Sequence, residues 1–340
     1  MGEIKLLDCT LRDGGYVNNW EFGSDSIHRI VDGLVDSGVE IVEIGFLRDL
    51  PYLNNKSVYS QPVDYKRFIE RHSSSGVKFA AMIEGKEDVS KQFPIEKIAE
   101  LKKSGLSFIR IMVWEWKLEE HMAYCKKIKE LGIDISIQPT AVVDYTPERF
   151  AKLLQLTNEI HPYSFYIVDT WGTELPSKVS RLAKMADDAL LPDIALGYHG
   201  HNNKMQGMAC FEAILSLNMK RDIFCDVSIG GMGKGPGNLQ TEVIADLLNE
   251  EKGKKYDVDK ICNLHATEIA HIYKQNSWGY SLYHFIGSKN LVTQSFATYF
   301  KTMDYGEEVF YKFVKSLKGR EKVLFSPEFV EKRLEELGLK

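Results

Sequence analysis

The chain has 340 residues, of which 44% are hydrophobic, 27% charged and 11% aromatic, with a formal net charge of −5. That balance suits a large buried core and excludes a disordered, collagenous or disulfide-scaffold protein. The acidic balance argues against a nucleic-acid partner, which needs a basic face, and no run approaches the ~18 apolar residues of a membrane-spanning helix.

In chain order, short apolar and β-branched runs predict strands at residues 4–9 (IKLLDC), 41–46 (IVEIGF), 77–83 (VKFAAMI), 108–113 (FIRIMV), 133–137 (IDISI), 165–168 (FYIV), 194–198 (IALGY) and 223–228 (IFCDVS). Between them, apolar residues at three- and four-residue spacing predict helices over 95–104, 119–131, 147–159 and 178–189. Thr146-Pro147 reads as an N-cap with proline in the first turn. Ser37-Gly38, Ser104-Gly105 and Leu131-Gly132 read as glycine stops before the next strand. Eight β-then-α units in ~250 residues favour a closed α/β TIM (β/α)8 barrel over an open sheet.

From about Glu251 the rhythm changes. The run EEKGKKYDVDK suits an exposed connection, and 261–274 and 327–339 read as helical around an aromatic-rich middle. The expected organisation is a catalytic barrel over 1–252 and a C-terminal helical region over 253–340. Cys9, Cys125, Cys210, Cys225 and Cys262 are widely spaced with no C-x-x-C pair. They read as reduced thiols of a cytoplasmic protein. The opening MGEIKLLDCTLRDGG has no apolar h-region, so no secretory signal is expected.

Chemistry in such a barrel belongs where strands end. The first strand runs into Arg12-Asp13-Gly14-Gly15, the seventh into His199-Gly200-His201-Asn202-Asn203, and the eighth into a loop with Gly231, Gly233, Gly235, Gly237 and Asn238. His199 and His201 are two apart in an extended segment, so both imidazoles leave one side of it. With Asp13 as the carboxylate they make a candidate divalent-metal site, although a His-x-His pair also arises by chance. Arg12 can meet a developing enolate or a substrate carboxylate, or pair with Asp8 or Glu43, and the two roles are compatible. The glycine-rich loop reads as a backbone wall over the metal site with Asn238 reaching inward. It lacks the Lys-Ser/Thr of a Walker loop and does not follow a first strand as a dinucleotide fingerprint does. Thr170 after the sixth strand is either a ligand for a substrate carboxylate or a helix N-cap. Gln138, at the mouth of the fifth, is a weaker candidate. The other histidines lack partner spacing and read as surface or packing residues, and nothing supports a covalent nucleophile.

The run DCTLRDGG, the HGHNN element and the GMGKGPGN loop, in that order, resemble the metal-dependent pyruvate-lyase and Claisen-synthase superfamily. That superfamily includes 3-hydroxy-3-methylglutaryl-CoA lyase, isopropylmalate synthase and 4-hydroxy-2-oxovalerate aldolase. The resemblance covers about residues 3–250 and is greatest to the 4-hydroxy-2-oxovalerate aldolases. It implies a Mn²⁺ or Mg²⁺ ion held by Asp13, His199 and His201, with Asn238 at a position that is a further ligand in the lyases. It implies Arg12 against the enolate oxygen, Thr170 on the oxo-acid carboxylate, and Tyr283 reaching in from the C-terminal region. His199 and Gln138 would also contact substrate, and Asp8, Glu43 and Asn203 would support the site. The aldolases place a histidine base three residues after the metal-binding aspartate, where this chain has Tyr16. A phenol of ordinary pKa near ~10 is a poor base at neutral pH, so Tyr16 is expected to donate a proton or hydrogen bond unless its pKa is lowered. The implied reaction is cleavage or formation of a C–C bond through a pyruvate-type enolate, from a 2-oxo acid and an aldehyde. Alternatives are an acyl-CoA/2-oxo acid condensing synthase and a non-catalytic ligand-binding barrel. The aldolases also pair with a dehydrogenase, so the aromatics between Trp278 and Phe313 are expected to form that surface, a homodimer contact, or packing against the barrel.

Overall fold

A computed structural model describes residues 2–85 and 89–340. Eight parallel strands follow one another around a closed barrel. They are β1 (Ile4–Asp8), β2 (Ile41–Leu47), β3 (Lys78–Ile83), β4 (Phe108–Val113), β5 (Ile135–Pro139), β6 (Ser164–Asp169), β7 (Ala195–Gly200) and β8 (Ile223–Ser228). Each pairs with the next, and β8 closes on β1 with Ile4 opposite Ile223 and Asp8 opposite Val227. Two two-residue strands, Val58–Tyr59 and Leu239–Gln240, pair in parallel with the C-terminal ends of β2 and β8.

Every residue of β2, β5, β6, β7 and β8 is buried. That is what parallel strands covered by helices require, and it is why they read as continuous apolar runs rather than alternating ones. The helices after β4, β5 and β6 run over Leu118–Glu130, Pro147–Ile160 and Pro176–Ala189, each burying one apolar stripe. Thr146 caps the second of these, its hydroxyl accepting from Arg149 N. Gly38, Gly105 and Gly132 take φ of +86°, +89° and +75° at the helix stops, a conformation that favours glycine.

β5 lies two residues later than expected. Its apolar alternation runs through Ile133, Ile135 and Ile137 without marking an end, and pairing with β4 decides: Ile109 sits opposite Ile135 and Val113 opposite Pro139. Gln138 therefore belongs to the strand itself.

Past the barrel the chain is helical throughout, and its aromatic middle forms three further helices, Leu282–Lys289, Gln294–Thr302 and Glu307–Ser316, before Pro327–Glu336. Apolar packing divides late. Ile261, Leu264, Ile269, Ile272 and Trp278 join the barrel's core, whereas residues from Tyr283 onward build a separate core around Phe296, Phe300, Phe310 and Phe313. Those aromatics bury one another, so in this stretch the rings left exposed include Tyr280 and Tyr311. Among the described residues no helix is long and apolar enough to cross a membrane.

Candidate active site

The loop after β1 is wound tightly around a single acceptor. The amides of Arg12, Asp13 and Gly14 all point at the Cys9 carbonyl, at 3.0, 2.8 and 3.4 Å, in a π-helical turn over Thr10–Gly14. The Trp20 indole donates to Arg12 O at 2.8 Å and Ser57 Oγ to Leu11 O at 2.6 Å, which pins the turn from outside. Gly15 is required here, since a Cβ would lie 1.9 Å from the Trp20 ring. The turn delivers the Arg12 and Asp13 side chains to the C-terminal end of the barrel, both essentially buried.

His199 is next to last in β7, beside Val168 of β6, and His201 follows the strand with its amide on Asp169 O at 3.2 Å. Asp13, His199 and His201 each offer a donor atom within 4.8 Å of the other two. Asp226 of β8 accepts from His199 Nδ1 at 2.9 Å, and the Gly237 carbonyl lies 3.3 Å from His201 Nδ1. Each contact places the Nδ1 proton and leaves Nε2 with its lone pair, the arrangement that orients metal-binding imidazoles.

Burial alone would raise the Asp13 pKa, but Arg12, His201 and His199 together hold it well below the usual carboxylate range. Burial pushes His201 down to about 4 against the pull of Asp13, so it is a neutral imidazole at physiological pH. The donor set is thus one carboxylate and two imidazoles. Asn238 adds to it: Nδ2 donates to Asp13 Oδ2 at 2.8 Å and to Met232 O at 3.2 Å, while its buried Oδ1 has no hydrogen-bond partner. A buried carbonyl oxygen without a donor is what a cation would satisfy, so these residues fit a divalent ion. A second close group, Cys9, His199 and Asp226, fits less well. Burial drives the Cys9 thiol well above its ordinary pKa, which keeps it protonated, and Asp226 is already paired with Arg110.

Beneath the donors runs a buried ionic lattice. Arg12 Nη1 donates to Asp13 Oδ1 at 2.6 Å and Nε to Glu43 Oε2 at 2.8 Å, which leaves Nη2 uncommitted. Arg110 of β4 donates to the same Glu43 oxygen at 2.7 Å, to Gln138 Oε1 at 3.0 Å and to Asp226. Its guanidinium lies 4.7 Å from the centre of the Tyr166 ring. Burial opposes ionisation of Asp226, yet the Arg110 charge and His199 hold its pKa below the ordinary value. Arg110 and Asp226 escaped the sequence reading, and their signal was a charge inside an apolar strand (FIRIMV, IFCDVS).

Several expectations need correction. Asp8 does not touch Arg12; it accepts from Thr10 N at 2.9 Å and Thr241 Oγ1 at 2.6 Å, tying β1 to the helix after β8, and burial raises its pKa to about 6. Asn203 donates to Trp171 O at 2.6 Å, joining the loops after β6 and β7 instead of supporting a metal donor. Thr170 is not a helix cap, because the next helix begins at Pro176; its Oγ1 accepts from Ala141 N at 2.8 Å. Tyr283 packs on Phe310 in the C-terminal core, 5.7 Å between ring centroids, outside the cavity wall. Tyr16 does line the cavity, donating to Glu84 Oε1 at 3.1 Å, but burial, with Glu84 and Asp13 nearby, drives its pKa well above 10. Arg48 meets the other Glu84 oxygen at 3.1 Å while lying over the Trp20 and Phe46 rings.

The glycine-rich loop takes left-handed backbone at Gly231, Gly235 and Gly237. Gly233 is required by proximity: a Cβ there would stand 2.4 Å from Asn238 Nδ2 and 2.8 Å from Asp13 Oδ2. Over these elements lies a cavity of about 960 Å³, walled by Arg12, Asp13, Tyr16, Gln138, Thr170, His199 and His201 from the barrel and by residues 293–295 and 318–329 from the C-terminal helices.

Several known proteins are similar to this chain. Oxaloacetate decarboxylase of Mycobacterium tuberculosis is 27% identical over 264 residues, 75% of this chain and 73% of that protein. A 4-hydroxy-2-oxovalerate aldolase of Geobacillus genomosp. 3 is 26% identical over 248 residues, 72% of this chain and 70% of that protein. Among solved structures, the N-terminal domain of a putative aldolase from Bacteroides vulgatus superposes with a TM-score of 0.76 at 23% identity, covering 92% of this chain and all of that domain. Residues 108–269 match the HMGL-like family model, and the chain as a whole has the TIM-barrel fold of the aldolase domain.

Proposed function

We propose that the protein is a divalent-metal-dependent carbon–carbon lyase working through a pyruvate-type enolate, as a 4-hydroxy-2-oxo acid aldolase does. The observation that carries this reading is the convergence of Asp13, His199 and His201 within 4.8 Å at the C-terminal end of the barrel, with Arg12 bound to Asp13. The chemistries named for the two relatives share one half. Decarboxylation of oxaloacetate and retro-aldol cleavage of a 4-hydroxy-2-oxo acid both leave the enolate of pyruvate.

Asp13, His199, His201 and the Asn238 oxygen would hold a Mn²⁺ or Mg²⁺ ion, whose Lewis acidity stabilises negative charge on the 2-oxo oxygen. Arg12, fixed by Glu43 and Asp13, has Nη2 left to donate to the same developing charge. Thr170 accepts from Ala141 N, so its own proton remains for the substrate carboxylate. Gln138 is spent on Arg110 and Ser136 and serves as a fixed wall. In cleavage the C4 hydroxyl must lose its proton. Tyr16 Oη accepts it while passing its own proton to Glu84 Oε1, a relay that never requires a free phenolate. The substrates on this reading are a small 2-oxo acid and an aldehyde. A dehydrogenase or a second copy docking on the C-terminal helices would use the side of Tyr280 and Tyr311, the exposed rings there.

The test is aldol cleavage of 4-hydroxy-2-oxopentanoate, read as pyruvate release with Mn²⁺ and again after chelation. Release that stops on chelation supports the lyase. Turnover unaffected by chelation contradicts it.

A further inference from the structure

The cavity, at about 960 Å³, stands at the upper end of the range that encloses a drug-sized molecule. Pyruvate and a two-carbon aldehyde would leave most of it empty. Arg110, Met112 and Trp114 alternate along β4 and the extended residue that follows it, so they share one side. Arg110 on that side meets Glu43 and Asp226 inside the barrel, which puts Met112 and then Trp114 nearer the mouth, both on the cavity wall. Met112 and Tyr16 pack against the same cluster of Trp20, Phe46 and Met82. The apolar wall thus begins beside Tyr16, which meets the C4 oxygen of the substrate in the relay above. It continues from Trp114 to Trp116, their ring centroids 4.3 Å apart, and Trp116 is 53% exposed.

The C-terminal helices supply a matching face. Phe325 and Phe329 line the same cavity half-buried, each held by the C-terminal core, with ring centroids 5.2 and 6.2 Å from that of Phe296. Leu324 beside them is 53% exposed on the same wall. The charges there do not point to an ionic guest: Glu321 pairs with Arg333 at 2.7 Å, and Lys318 and Arg320 are exposed. Hydroxyl groups brought between such faces would lose water without gaining partners, whereas hydrocarbon gains by burial. Flat aromatic side chains on both faces also suit a ring.

We propose that the second substrate is an apolar aldehyde with a body of about six carbons or more, a ring or an aliphatic chain, seated between the Trp114–Trp116 and Phe325–Phe329 faces. This rests on the enolate reading above and names the aldehyde class. The pyruvate methyl carbon loses a proton, its electron pair bonds the aldehyde carbon, and the former carbonyl oxygen takes up a proton; nothing is oxidised or reduced.

The test measures binding to the full chain, with Mn²⁺ and without pyruvate, by ligand-observed proton NMR for acetaldehyde, D-glyceraldehyde, hexanal and phenylacetaldehyde. Pyruvate methyl exchange in D₂O is followed in parallel. Each buried methylene is worth about fourfold in affinity, so hexanal or phenylacetaldehyde is expected to bind about thirtyfold or more tighter than acetaldehyde. The better of the two separates chain from ring, and D-glyceraldehyde is expected to bind no tighter than acetaldehyde. Trp116→Ala and Leu324→Glu, both at exposed positions that folding does not need, are each expected to weaken the preferred aldehyde about tenfold at wild-type melting temperature. Equal binding of the four aldehydes, tighter binding of D-glyceraldehyde, or wild-type binding by both variants overturns the proposal. Exchange without the apolar preference overturns it too and leaves the enolate reading intact. An apolar preference that both variants weaken, without exchange, upholds the apolar aldehyde site and sinks the enolate reading.

Discussion

Asp13 takes a guanidinium on one oxygen and an amide on the other, so its ionised form is doubly held before any cation arrives. Asp13→Asn removes the one anionic donor from the candidate set and should abolish Mn²⁺ binding and turnover together, checked by titrating Mn²⁺ into the variant by electron paramagnetic resonance. Full occupancy with full turnover would show the site misassigned. Tyr16 makes a sharper test, because it acts on one half of the reaction alone. Tyr16→Phe should slow aldol cleavage about 10²-fold, the scale of one general acid–base contribution, while pyruvate methyl exchange stays within about threefold. Loss of both to the same degree would argue that Tyr16 only shapes the pocket. The cluster of Asp13, His199 and His201 beside Arg12 was legible in the sequence because each lies in a short motif at a strand end. Tyr283 was misjudged, since an aromatic far along the chain reveals nothing of which core it joins. Asp8 was misjudged for a related reason: its partner Thr241 lies 233 residues away.

At the scale of elements, the barrel is crossed by charge where barrels usually carry hydrocarbon. Glu43 of β2, Arg110 of β4 and Asp226 of β8 neutralise one another across its interior, and Asp226 also orients His199. Asp226→Asn breaks a fully buried pair, which should cost about 3–5 kcal/mol in denaturant unfolding. It should also weaken metal binding about 10–100-fold through the loosened imidazole. The folded-state pKa of Asp226 lies below the unfolded value of about 3.9, so its stabilising contribution is complete above that pH and is lost as pH falls through the folded value. The variant's melting temperature should consequently fall less steeply than wild type's on acidification below about pH 4. Strand positions could be read from apolar runs and glycine stops. The displaced β5 could not, because pairing with β4, and not its own pattern, sets its ends.

At the scale of the molecule, two apolar cores meet over one cavity: the barrel supplies the candidate metal donors and the C-terminal helices the opposite wall. Phe300→Ala should cost the C-terminal core about 3–5 kcal/mol, seen as faster amide exchange confined to residues beyond about 280. Pyruvate methyl exchange, which draws on the barrel alone, should persist. Equal loosening of both parts would contradict two separate cores. The barrel was legible because its units repeat. The C-terminal core was not, since its helices are only two or three turns long and the spacing of Phe296 and Phe300, or Phe310, Phe313 and Val314, is too brief to stand out from a generally aromatic stretch.

The central claim is that this barrel makes a pyruvate enolate with a cation at Asp13, His199 and His201. The direct measurement is deuterium exchange of the pyruvate methyl group in D₂O, followed by proton NMR with Mn²⁺ added and then chelated. Exchange that appears with the metal, stops on chelation and is absent in Asp13→Asn is the predicted result. No exchange with metal demonstrably bound would contradict it.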